Sequence, residues 1–332
     1  MQGKMSLTHI YRSLGAIETA MSQHPKAADA EATLVQELTT SGYVSLEVIR
    51  AYMSTVQSVY SWNHGMFQLD FWIPVEAVAE WNHQLRRVVR RLETLRLHYR
   101  STKPIHFVCV PLDIPRQFPT STTQCLGREH VNGGYTYVNG NTVYLFRHEE
   151  LPKVMLHEYL HQIQGHKDTE WDAKSLERIR ALVPIPTGID IRPNEAVVEA
   201  WALYYHTQFL ALEHPISFKS LWDAERRFAL HQARRVWAHQ SKCLPSWNEQ
   251  THTFSYYVLK ACFVQSLGLD DIQQMHKKNT QPPWQLDYSV PVLVAWIVSQ
   301  WSHWKPQLVA GTGTRTRTEG ADGARMTLLG DF

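Results

Sequence analysis

Five consecutive residues, His157-Glu158-Tyr159-Leu160-His161, constrain this chain more than any other stretch. On an α-helix, positions i and i+4 stand one above the other on a single face. Two imidazoles placed that way can close on one metal ion, with Glu158 beside them and within reach of a water on that metal. The pattern therefore asks for a helix here and for a further ligand from elsewhere in the chain. The flanking residues agree with a helix. Pro152 suits a first-turn position, where its missing N–H leaves no bond unmade. Val154, Met155 and Leu160 supply apolar surface, and Gly165 is expected as the C-cap.

A zinc site that keeps one position open for water needs three protein ligands. The stretch Pro193-Asn194-Glu195-Ala196-Val197-Val198-Glu199-Ala200-Trp201-Ala202 reads as the start of a second helix, with two carboxylates at i and i+4 on one side. Glu195 is the expected third ligand. Glu199, a turn later, is placed to accept the second N–H of a ligand imidazole and so fix its tautomer. It lies in a largely apolar run, where a carboxylate needs a partner.

H-E-x-x-H followed downstream by N-E-x-x-x-E resembles the gluzincin zinc peptidases, the group that includes thermolysin and aminopeptidase N. The resemblance implies Zn²⁺ held by His157, His161 and Glu195, with Glu199 behind them. It further implies a zincin-like fold and peptide-bond hydrolysis with Glu158 as general base. His157 to Gly165 is also similar to the aminopeptidase N signature, which has Gly at the same offset. There are two departures. His161 and Glu195 are 34 positions apart, longer than in those groups, and no G-x-M-E-N exopeptidase motif occurs. A metzincin pattern fails, because Gln164 and Lys167 stand where Gly and His would be needed.

Two more assignments come through this resemblance. The segment Tyr257 to Val264 is similar to the one that supplies a transition-state tyrosine in aminopeptidase N-like enzymes, so Tyr257 is expected to face the developing oxyanion. Tyr256 and His252 stand in reserve, and Lys260 occupies a place where those enzymes commonly have Gly. In the resembled enzymes a strand beside the metal helix binds the substrate backbone in extended form. By that resemblance Thr142-Val143-Tyr144-Leu145-Phe146 is the expected substrate edge.

The rest of the chain frames these residues. Its 332 residues, 44% hydrophobic and 19% charged, are enough for a substantial core. Leu34, Val35 and Leu38, then Val48, Ile49, Tyr52 and Val56, recur at helical spacing, so two or three helices are expected over residues 5–62. Pro74 opens a longer helix to about Tyr99. Ile105 to Val110 reads as a buried strand, and Asn139-Gly140-Asn141 between Tyr135–Val138 and Thr142–Phe146 signals a hairpin. Helices are expected over about 168–182, 193–212, 218–239, 254–267 and 290–304. The expected whole is α+β and mainly helical, with a small mixed sheet or hairpin before the metal helix. It divides into an N-terminal helical region (1–100), a zincin-like catalytic domain (101–308) and a disordered tail (309–332).

The arginines at 86, 87, 90, 91 and 96, and at 226, 227, 234 and 235, read as solvated faces. With a net charge of +2 they do not make a nucleic-acid surface. Four cysteines without a C-x-x-C pair suggest free thiols in a reducing compartment. Residues 1–20 lack a continuous apolar stretch, and no run of about 18 apolar residues occurs. A cytoplasmic protein with a peptide or protein substrate, and without a membrane partner, is the resulting expectation. The alternatives are a catalytically silent zincin-fold scaffold and a metal-free helical interaction protein.

Overall fold

A computed structural model describes residues 6–40, 42–121, 123–137, 139–164, 171–183, 185–242, 247–268, 286–310 and 323–330. The expected C-cap Gly165 lies outside these residues. In chain order the first elements are α1 (Leu7–Ser13), β1 (Ser22–Pro25), α2 (Ala28–Thr40), α3 (Leu46–Met53), β2 (Ser58–His64), β3 (Phe67–Ile73) and α4 (Val78–Tyr99). There follow β4 (Ile105–Leu112), α5 (Arg128–Val131), β5 (Gly134–Thr136), β6 (Thr142–Arg147), α6 (Leu151–Gln164) and α7 (Ala173–Arg180). The last are α8 (Pro193–Glu213), α9 (Phe218–Gln240), a π-helical turn (Phe254–Leu259) leading into α10 (Lys260–Ser266), and α11 (Val290–Val309). The fold is α+β, as expected. The chain forms two compact units, residues 1–115 with 132–163, and residues 116–131 with 164–332.

The first unit holds a mixed six-stranded sheet in the order β1-β2-β3-β4-β6-β5. β3, β4 and β6 run parallel, while β1–β2, β2–β3 and β5–β6 are antiparallel. Alternation of side chains gives the sheet two apolar faces. On one, Val108, Val110 and Leu112 of β4 join Trp72 and Phe146 against Leu34, Leu38, Ile49 and Met53 of α2 and α3. On the other, Phe71 meets Trp81 of α4 at 5.5 Å between ring centroids, and Phe67 meets Tyr159 of α6 edge-on at 5.6 Å.

Three of these strands lie where only helices are expected. β1, β2 and β3 fall within residues 1–100 and share one sheet with β4 and β6, so a separate N-terminal helical region does not exist. The β2–β3 hairpin turns at Gly65, whose φ of 57° suits glycine. Tyr60 and Trp62, then Phe67, Leu69 and Phe71, are buried at every second position. That period of two outweighs the helical pattern upstream.

In the second unit α8 is buried around its whole circumference from Pro193 to Thr207, the mark of a helix enclosed by others. Several of the arginines expected on solvated faces are fasteners, whereas Arg227 is exposed as expected. In the first unit Arg90 donates to Tyr11 O and Leu14 O, and Arg86 to Thr19 Oγ1. In the second, Arg226 donates to Gln265 O and Arg234 to Gln307 O.

Two further expectations are corrected. Residues 323–330 are not a disordered tail. Ala324, Met326, Thr327 and Leu329 are buried, and Ala324 N donates to Arg116 O at 2.8 Å. Nor are all four cysteines free thiols, for Cys125 is disulfide-bonded while Cys109 and Cys262 are free and buried. Disulfides persist in oxidising environments, which removes the ground for expecting a reducing compartment. No described helix is long and apolar enough to cross a membrane.

Candidate metal centre

α6 begins as its sequence demands. Pro152 sits in the first turn, and Leu151 N and Val154 N donate to His148 O and Glu150 O at 3.1 and 2.9 Å. Val154, Met155, Leu156, Tyr159 and Leu160 are all buried. Each such side chain contributes about 1.5–3 kcal/mol on leaving water, so packing rather than propensity holds the helix. Its C-terminal end is pinned by Gln162, whose side-chain amide donates to Thr136 Oγ1 on β5.

This helix places His157 and His161 one turn apart. Their Nε2 atoms are 3.0 Å from each other and their rings 4.7 Å apart, edge to face. Glu158 is buried alongside them. α8 opens with Pro193 at N1, and Glu195 stands in its first turn, with Glu195 N donating to Arg192 O at 3.0 Å. A carboxylate is favoured at that helix end by the backbone dipole. One ligand atom from each of His157, His161 and Glu195 lies within 4.8 Å of the other two, and all three residues are buried.

The donor set of two imidazole nitrogens and one carboxylate oxygen fits zinc. Two ligands about 2.0–2.1 Å from a tetrahedral ion stand roughly 3.3 Å apart, close to the imidazole separation observed. Three protein ligands leave a fourth position for water or substrate.

The remaining site residues fall out differently. Glu199 has the Lys260 ammonium 3.7 Å from its Oε1, and both side chains are 1% exposed. The partner that an apolar run requires is thus a cation, supplied by the residue that departs from the resembled pattern. Tyr257 has a partner other than a substrate oxygen. Its ring is buried with Leu126, Val131, Val236 and Met326, and its one hydroxyl proton goes to Ala324 O. The substrate edge is also corrected. β6 is an interior strand, with β4 on one side and β5 on the other. The expected hairpin at Asn139-Gly140, with Asn139 at φ 67°, pairs β5 with one side of β6, and β4 closes the side that was expected to be open. β5 is the last strand of the sheet.

His252, held in reserve by sequence, emerges as a neighbour of the acidic helix start. Burial lowers its pKa, and the charge of Glu195 pulls the other way. Only its motif-free surroundings kept it from prominence in the sequence. No protein-family model, curated protein or solved structure matches this chain.

Proposed function

We propose that the protein is a zinc-dependent metallopeptidase of gluzincin type. The observation that carries this reading is the convergence of His157, His161 and Glu195, buried and within 4.8 Å, next to an intact Glu158. Those three residues are the ligands. A bound zinc ion supplies a water whose pKa falls towards about 7 and a Lewis acid for the scissile carbonyl. Glu158 accepts a proton from the attacking water on a carboxylate oxygen and returns it to the departing amine nitrogen. Burial of Glu158 keeps bulk water from competing for that proton. With Tyr257 committed to Ala324, His252, which feels the charge of Glu195, is the next candidate for stabilising negative charge on the carbonyl oxygen.

Glu158→Gln tests the reading. Zinc content should stay at the wild-type level while turnover of a broad peptide library falls by about 10²–10⁴-fold. Unchanged turnover refutes the general-base role. A wild-type protein that holds zinc and cleaves no member of the library would instead be a silent scaffold.

A further inference from the structure

The segment Gly323–Gly330 is held in the second unit as a peptide ligand is held in a groove. Backbone polar groups that leave water must find partners, and here almost all of those partners are side chains. Arg235 Nη1 donates to Gly323 O at 2.8 Å, and Tyr257 to Ala324 O. Gln232 Nε2 donates to Arg325 O at 2.9 Å, and Lys260 Nζ to Met326 O at 2.7 Å. His206 Nε2 lies 3.2 Å from Leu329 O. In the other sense, Leu328 N and Leu329 N donate to the Glu225 carboxylate at 3.2 and 2.8 Å, and the Thr327 hydroxyl binds it too.

Two apolar anchors, three residues apart, complete the fit. Met326 packs with Val236 and Tyr256, and Leu329 with Leu210 and Leu221. Main-chain capture combined with pockets for spaced side chains is how extended peptides are recognised in trans. Nothing in this arrangement depends on a metal.

We propose that α8, α9, the π-helical turn and α10 form a binding groove for an extended peptide, and that the chain's own residues 323–330 are its resident, exchangeable ligand. The required ligand is a short apolar segment with a glycine at its entry and Met and Leu anchors at the spacing of 326 and 329. The glycine is required because Gly323 adopts φ 47°, and a Cβ there would lie 2.1 Å from Arg116 O.

The test keeps the full chain. A recognition sequence for a site-specific protease is placed within residues 312–320, the protein is folded, and only then is it cut. A fluorescent peptide of residues 321–332 should exchange into the cut protein with saturable anisotropy. The same peptide carrying Gly323→Ala should compete at least tenfold less well, and Glu225→Ala in the chain should weaken uptake at least tenfold. A folded, cut protein that takes up no labelled peptide overturns the proposal. So does equal competition by the two peptides. Loss of the folded state on cutting, read by far-ultraviolet circular dichroism, also overturns it, because the segment would then be core rather than ligand.

Discussion

Replacing Glu249 with Gln should change how the stability of this protein depends on pH. Glu249 is buried just before the π-helical turn, and three donors converge on its Oε2. They are Trp247 Nε1 at 3.0 Å, Phe254 N at 2.9 Å and the Thr253 hydroxyl. Its Oε1 has no hydrogen-bond partner. Burial pushes the carboxyl up from 4.5 to about 7, against the opposing pull of those donors. Between these values the unfolded chain has lost the proton and the folded chain keeps it. Protons bound only by the folded state make stability fall as pH rises. The contribution is therefore intact below pH 4.5, declines up to about 7, and is gone above it. About 1.4 kcal/mol per unit across that interval amounts to about 3 kcal/mol. Gln cannot ionise, so the variant lacks this slope, whereas other raised carboxyls such as Glu225 act alike in both proteins and cancel. Urea unfolding of both proteins at several pH values from 4.5 to 8 gives the difference directly. The wild type should lose about 3 kcal/mol relative to Glu249→Gln over that range. Parallel curves would refute the reasoning.

Two other substitutions probe the surroundings of the site. Lys260→Met leaves the buried Glu199 without the cation 3.7 Å away. Chemical denaturation should show a loss of about 3–5 kcal/mol, and a change under about 1 kcal/mol would mean that the pair contributes little. Tyr257→Phe removes the hydroxyl that binds Ala324 O. Stability should fall by about 1–2 kcal/mol with turnover nearly unchanged, whereas a fall of about 10²–10³ in kcat would restore Tyr257 as an oxyanion donor.

The helices were legible where a single local rule sufficed. Pro152 and Pro193 each open a helix in its first turn, and the i, i+4 spacing puts the two imidazoles 3.0 Å apart. Position 195 could be named only through the resemblance of Asn194-Glu195 and Glu199 to the N-E-x-x-x-E pattern; helix geometry alone does not choose between the two carboxylates. What stayed hidden was set by long-range packing. The β2–β3 strands alternate with period two, but lie directly after helical periodicity that draws the eye. The Thr142–Phe146 strand reads as strand on either hypothesis, and its hairpin with β5 was legible; that its other side is closed depends on parallel pairing with β4. The Gly323–Gly330 segment has a composition that suggests no structure, and its order comes from side chains more than sixty residues away in the chain, among them Glu225, Lys260 and Tyr257. Lys260 looked like a flaw in the tyrosine motif and is instead the counterion of Glu199.

The central claim is that His157, His161 and Glu195 hold one zinc ion together, and elemental analysis of the purified protein tests it most directly. The account predicts about one zinc per wild-type chain and loss of the metal in both His157→Ala and Glu195→Ala, with retention in Glu158→Gln. A wild-type protein without metal, or a Glu195→Ala protein loaded as fully as the wild type, would contradict it.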